Sequence, residues 1–289
     1  MKKILCISEV CCDMIFGGMP KLPGPGEEVF CQNFSMQPGG GSNTPHLLAR
    51  IGIPTAYLTA IGWDVRGDVV RRELEKSGLK LILLPIPDYD TPVSAVLGIP
   101  GDRSFATYAF TGTLPCSEAL LEEAVKEADI VHSFISYALD LPIAELCEKH
   151  GKELSLDAAF DDSCRPEARD LLGRCDYLKV NEEEGLRISG NSTAEEALRY
   201  LSSRVRKAAV ITLGEKGAAG AEKDGEMIYQ PAVSYGPFKD ACGAGDAFMA
   251  GFLAAVSSGA PLSEALRRGA ELAGRCVSWV GGVSAGELF

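Results

Sequence analysis

Asp240-Ala241-Cys242-Gly243-Ala244-Gly245-Asp246 runs directly into Ala247-Phe248-Met249-Ala250-Gly251-Phe252-Leu253-Ala254-Ala255-Val256. The residues at 243–245 are small and leave their backbone N–H groups uncovered. The run after them is almost wholly apolar and reads as a buried helix. Its first-turn amides, together with the positive end of the helix dipole, make an anion site. Asp246 falls in the same turn. A carboxylate beside an anion site is a candidate base for a group attacking a phosphoryl centre. A glycine-rich loop with an aspartate capping a helix has the same local pattern, so the rest of the chain has to decide.

Outward from this stretch the chain alternates. Hydrophobic spacing predicts helix 118–127, strand 130–133, helix 142–149, strand 154–156, helix 166–172, strand 177–180, a buried strand over 209–214 and a last helix over about 262–279. That rhythm means βαβ units, a parallel sheet and helices on both faces. Residues 4–8 form a short apolar run suited to a central strand buried on both faces. Residues 14–36, punctuated by glycine and proline, carry two strand-like pieces, 14–16 and about 28–35, and read as a hairpin excursion from the main sheet. A strand over 56–61, a turn over 62–68 and an amphipathic helix over 69–76, closed by Gly78, follow. The segment 79–108 is β-rich, with Pro92–Gly98 and Ser104–Tyr108 flanking a hairpin turn at Pro100-Gly101-Asp102. Asp224-Gly225 reads as a tight turn between short strands.

Several candidate site residues sit where open α/β sheets place their ligands, just beyond the carboxyl ends of strands. Asp13 follows the first strand, Asp157 closes a later one and Thr212-Leu213-Gly214 leads out of another. Pro38-Gly39-Gly40-Gly41-Ser42-Asn43 opens a helix whose apolar face is Leu47, Leu48 and Ile51. Its glycines allow close backbone approach, and Asn43 offers two donors and an acceptor. Asn181 and Glu184 share a helix face. That spacing could hold a hydrated magnesium or a phosphate-bound water, and it equally suits an N-capping asparagine with an acidic first turn. The first strand is followed by no G-x-G-x-x-G and the chain holds no G-x-x-x-x-G-K-[ST], so neither a dinucleotide turn nor a P-loop is expected.

The 289 residues fit one large α/β domain or two small ones. Against 28 basic residues stand 40 acidic ones, a net charge of −12 without a long basic run. This argues against nucleic acid or an anionic membrane as partner. It does not exclude an anionic substrate held by local amides. The ten cysteines form no C-x-x-C pair and only three histidines accompany them, so a structural zinc is not expected. The scattered thiols read as reduced and buried, in a soluble cytoplasmic protein without a membrane span. Glu9 and Asp13 interrupt the N-terminal apolar run, which therefore reads as a strand and not as a signal peptide.

Taken together and in order, Gly39-Gly40-Gly41-Ser42-Asn43, Gly62-x-Asp64-x-x-Gly67, Asn181-x-x-Glu184, Thr212-Leu213-Gly214-x-x-Gly217 and Gly243-Ala244-Gly245-Asp246-Ala247-Phe248 resemble the ribokinase-like (PfkB) family of carbohydrate and nucleoside kinases. The resemblance covers essentially the whole chain. It implies a single domain over 1–289: a three-layer α/β/α sandwich with a central, mostly parallel sheet, plus a small β-sheet lid from about 14–36 and 93–108. It implies Asp246 as the base toward a sugar hydroxyl attacking the γ-phosphate of ATP, with Gly243, Ala244 and Gly245 supplying amides to the transferred group. It implies Asp13, Gly40, Gly41 and Asn43 as sugar contacts. Asn181 and Glu184 would organise Mg²⁺ and phosphates, Glu184 through water, and Thr212, Gly214 and Gly217 would bind the nucleotide. It extends to a homodimer paired through the lid and to a potassium ion at Asp240 and near Gly281-Gly282.

Two departures stand out. Ala241 and Cys242 lack the hydroxyls of the family's D-T-x-G-A-G-D, which bears on the potassium site. Glu271 stands where many relatives carry an adenine-side asparagine. The expected activity is phosphorylation of a primary sugar hydroxyl, with a nucleoside kinase as the alternative. A sugar-binding protein without catalysis is disfavoured by the presence of Asp246 and its glycines. An NAD-linked dehydrogenase is disfavoured by the missing first-turn fingerprint.

Overall fold

Ile4, Leu5, Cys6 and Ile7 form strand β1 (Ile4–Ile7), and all four side chains are buried. Successive side chains of a strand point to opposite faces. Accordingly Leu5 and Ile7 enter one apolar cluster, and Ile4 and Cys6 enter another on the far side. A strand apolar at every position can therefore only be central. In this computed structural model, which describes residues 1–99, 102–109, 114–158, 165–239 and 242–278, β1 lies between two parallel neighbours.

Three further strands belong to the region before residue 60: β2 (Val10–Gly17), β3 (Asn33–Gly40) and β4 (Thr55–Thr59), with helix α1 (Asn43–Arg50) between the last two. Helix α2 (Val65–Lys76), β5 (Lys80–Leu83), β6 (Val93–Ile99) and β7 (Asp102–Tyr108) follow. Then come α3 (Glu118–Lys126), β8 (Ile130–Phe134), α4 (Ile135–Asp140), α5 (Ile143–His150), β9 (Glu153–Asp157), α6 (Ala168–Leu171), β10 (Tyr177–Asn181), α7 (Glu182–Ser189) and α8 (Ala194–Ser202). The chain continues through β11 (Ala208–Thr212), β12 (Ala218–Glu222), β13 (Met227–Gln230), α9 (Ala244–Ser257) and α10 (Leu262–Cys276).

Nine of these strands form one sheet in the order β13-β12-β11-β10-β9-β8-β1-β4-β5. The pairs from β5 to β11 are all parallel, and only β12 and β13 join antiparallel. Helices α1, α2, α9 and α10 pack on one face through Leu47, Val70, Phe252 and Leu266, while α3, α5, α7 and α8 pack on the other through Leu121, Ile143, Ile188 and Leu198. The second sheet, β3-β2-β6-β7, stands at the carboxyl edge of the first. The three layers and the small extra sheet agree with the expected fold class. Among the described residues no helix is long and apolar enough to cross a membrane.

Differences from the sequence expectation lie at boundaries and in quiet segments. The excursion's strands are shifted: β2 begins earlier, at Val10, and β3 lies later, continuing into Pro38-Gly39-Gly40, so two of the glycines close a strand before the turn. Helix α2 starts at Val65, inside the expected turn, because Asp64 caps it. The expected helix over 166–172 is a single α turn, Ala168–Leu171, and a 3₁₀ turn, Leu172–Arg174. Helices α4 and α8 were not anticipated. The last helix is described to Cys276, and residues 279–289 lie outside the described ones.

The Gly62-x-Asp64-x-x-Gly67 pattern is a structural knot. The Asp64 carboxylate accepts from Gly67 N at 2.7 Å and from Thr91 N at 2.8 Å, and Arg66 Nη2 donates to it at 2.9 Å. A Cβ on Gly62 would lie 2.2 Å from Tyr89 O, and one on Gly67 would lie 2.0 Å from Gly62 O. The knot thus ties the start of α2 to the segment that leads into β6. Asp64→Ala removes a helix cap and leaves two backbone donors unpaired. Its expected cost is about 2 kcal/mol, read from urea unfolding at unchanged m-value.

Candidate active site

The side chains singled out at strand ends converge because the parallel strands all finish at one edge. Helix α9 starts there, and its burial explains its composition: every residue from Ala247 to Ser257 is buried. Its N-cap, Gly243, has φ +71°, a left-handed conformation that costs glycine little. The first intrahelical bond is Ala247 N to Gly243 O at 2.8 Å, so the amides of Ala244, Gly245 and Asp246 have no helical acceptor behind them.

Asp246 lies in this first turn, partly exposed. Asn43, at the first position of α1, donates its Nδ2 to Asp246 Oδ2 at 2.9 Å, and Thr44 Oγ1 donates to Asp246 O at 3.3 Å. Burial pushes the Asp246 carboxyl above the usual aspartate range, while the Asn43 bond and the Lys179 ammonium pull it back without cancelling the rise.

The glycines before Asn43 serve close approach. Gly40 has φ +61°. A Cβ on Gly41 would stand 2.3 Å from Ser8 Oγ, which donates to Gly41 O at 3.0 Å. A Cβ on Gly39 would stand 2.2 Å from the Asp13 carboxylate. Asp13, on β2, is 8% exposed and accepts from Cys11 Sγ at 3.1 Å. Burial raises its pKa first, the Cys11 bond and the Arg103 charge oppose this, and Asp246 adds to the rise. Asp13, Gly40, Gly41, Asn43 and Asp246 are therefore brought close together.

The nucleotide-side candidates stand on adjacent strands. Asn181 and Thr212 are register partners at the ends of β10 and β11, and Thr212 Oγ1 donates to Val180 O at 3.4 Å. Gly214 (φ +59°) and Gly217 (φ +104°) frame a 3₁₀ turn. A Cβ on Gly217 would meet Gln230 O at 2.2 Å. Asn181 and Glu184 form a reciprocal capping box: Glu184 N donates to Asn181 Oδ1 at 2.9 Å, and Asn181 N donates to Glu184 Oε2 at 2.7 Å. The capping alternative is thus realised. Asp240, with Ala241 and Gly281-Gly282, lies outside the described residues. Among the described residues no group of three or more His, Cys, Asp or Glu side chains is placed to hold a metal ion.

Two contributors escaped the sequence reading. Arg103, from β7 of the small sheet, is hydrogen-bonded to Cys242 and acts on Asp13. Lys179, inside β10, is 7% exposed and paired with Asp157. The available signal was a charged residue between Leu178 and Val180 in a strand buried on both faces, since such a charge needs a partner.

The profile of the pfkB family of carbohydrate kinases matches residues 1–285. A ribokinase from Lactococcus lactis is 24% identical over 92% of this chain and 88% of its own. A cytidine kinase from Thermococcus kodakarensis is 40% identical over 36% of this chain and 38% of its own. The fold is that of an Arabidopsis thaliana ribokinase complexed with ribose and ATP, at a TM-score of 0.80 and 24% identity, covering 99% of this chain and 96% of that one.

Gly39→Ala tests the packing around Asp13 without reference to chemistry. The added methyl would drive into a carboxylate that burial and the Cys11 bond hold in place. A loss of about 1–3 kcal/mol is expected in urea unfolding, the range for overpacking a tight site.

Proposed function

The chain belongs to the pfkB family of carbohydrate kinases, and we propose that it transfers the γ-phosphate of ATP to a primary hydroxyl of a sugar, with Asp246 as general base. The observation that carries this reading is the placement of Asp246: a carboxylate in the first turn of a buried helix, next to amides without an intrahelical acceptor and held by Asn43. An acceptor hydroxyl beside Asp246 would lose its proton to the carboxylate as it attacks. The amides at 243–245 would meet the charge developing on the phosphoryl oxygens, where preorganised donors contribute most.

Asp13, Gly40, Gly41 and Asn43 would hold the acceptor. Thr212, Gly214 and Gly217 would face the nucleotide. The family's chemistry uses a divalent cation, which offsets phosphate charge when bound. The residues fit magnesium carried mainly by the triphosphate and water, because one Glu184 oxygen is already committed to the cap of α7. The sheet β3-β2-β6-β7 would close over the acceptor as a lid and exclude water. Phe34, Phe105 and Tyr108 on it are 51%, 52% and 58% exposed, which supports a homodimer paired through this sheet. Light scattering is expected to give twice the chain mass, with Phe34→Glu/Phe105→Glu reducing it to one.

A second reading, a nucleoside acceptor, is favoured by the local 40% identity to a cytidine kinase. A panel of pentoses, ketohexoses, aldonates and nucleosides with Mg-ATP, read as ADP release, separates the two. A sugar is expected to give the highest kcat/KM, and no ADP with any acceptor would sink the kinase reading.

Asp246→Asn is expected to lower kcat by about 10²–10⁴-fold with little change in KM, because it removes only the proton acceptor. A loss below about tenfold would mean another group is the base. The pH profile carries a separate expectation. A carboxyl whose folded pKa is raised loses its charge earlier as pH falls, so the acid limb of kcat lies above the ordinary aspartate range. Asn43→Ala, which deletes a bond to the charged form, moves that limb to higher pH.

A further inference from the structure

Lys179 stands opposite Asp157 in the parallel register of β10 and β9. Its Nζ donates to both carboxylate oxygens at 2.9 Å, and the two residues are 7% and 1% exposed. The same ammonium abuts α9 from below: a Cβ built on Gly245 would lie 3.1 Å from Lys179 Nζ. Held by two bonds to Asp157, the nitrogen has little freedom to give way, so the ammonium occupies the space that a side chain at 245 would need.

The charges around this point come from several elements. Asp246 on α9 and Glu184 on α7 act on both members of the pair. Asp13 on β2 and the Cys242 and Cys276 thiols lie on the Asp246 side, where Arg103 of β7 also acts. Burial pushes Asp157 up to about 7 against the pull of Lys179. Burial lowers the lysine, and Asp157 more than restores it. A buried ion pair is a poor device for stability alone, since apolar residues of similar size often serve as well. Its position under the helix start points to another use.

We propose that Lys179, pinned by Asp157, is a positioning residue for phosphoryl transfer: its ammonium braces the first turn of α9 and supplies a fixed positive charge beneath the amides at 243–245. The proposal rests on the reading of those amides as the phosphoryl cradle. A charge held in place in a water-poor site acts at full strength on the transition state, with no reorganisation needed as the reaction proceeds.

Two experiments test it. In Lys179→Met/Asp157→Leu both charges leave together, so neither is stranded. The variant is expected to fold, to keep KM for acceptor and Mg-ATP within about threefold, and to lose about 100-fold or more in kcat. A folded variant with kcat within about threefold of the parent overturns the positioning role, and so does a loss confined to KM. The second experiment is independent of activity. Gly245→Ala is expected to lower the melting temperature of the parent clearly more than that of Lys179→Ala/Asp157→Asn, in which the space below residue 245 is freed. Equal losses in the two backgrounds overturn the contact. If the parent releases no ADP with any acceptor, the kinase reading fails, and the melting comparison still decides whether Lys179 braces the turn.

Discussion

The hydrogen bond from Asn43 to Asp246 joins the first turns of two helices whose sequence positions are 203 residues apart. Most of the site depends on those two helix starts meeting at the carboxyl edge of one sheet. Helix α1 can reach the meeting point only because Gly41 lets the chain press against Ser8, and because Gly39 leaves room for the Asp13 carboxylate. Helix α9 reaches it because its whole surface from Ala247 onward is buried between the sheet, α1 and α10. Gly251 allows the closest approach, its missing side chain leaving space for Arg268 O. The small residues that look like flexible loop in the sequence are mostly places where two backbones or a backbone and a polar group come into contact.

The same edge concentrates charge. Asp13, Asp157, Glu184 and Asp246 are gathered there in a protein already bearing −12. Lys179 and Arg103 are the cations set among them. Burial raises each of the three aspartates, and a particular donor or cation opposes the rise in every case: Cys11 and Arg103 for Asp13, Lys179 for Asp157, Asn43 and Lys179 for Asp246. An acidic chain can thus carry a local field suited to an anion, because amides, a helix start and a few fixed cations set it.

How much was legible depended on periodicity. The alternation from residue 118 onward exposed the parallel sheet, and the apolar run after Asp246 exposed α9. Helix α8 went unread although Thr193 caps it and Leu198 and Leu201 enter the core. Helix α4 is a short stretch directly after β8 with no side-chain cap of its own, so it offered no signal. The start of α2 was hidden by Gly67, which reads as turn in sequence but sits in the helix because no side chain could fit against Gly62 O. Of the five spaced patterns, Asn181-x-x-Glu184 proved to be a reciprocal cap and Gly62-x-Asp64-x-x-Gly67 a brace for the root of β6.

Sequence alone determined the class of the fold and the family, and it marked Gly243-Ala244-Gly245-Asp246 as a glycine turn opening a buried helix. Each of these is written in local residue type and spacing, which one strand or one helix can express by itself. Tertiary structure decided the partners. Asn43 opposite Asp246, Lys179 on Asp157 and under Gly245, and Arg103 beside Cys242 and Asp13 are contacts between elements far apart in the chain. Such contacts follow from strand order and register. No local pattern records which strand will lie beside which, so the glycine turn was readable from the start and the cation beneath it was not.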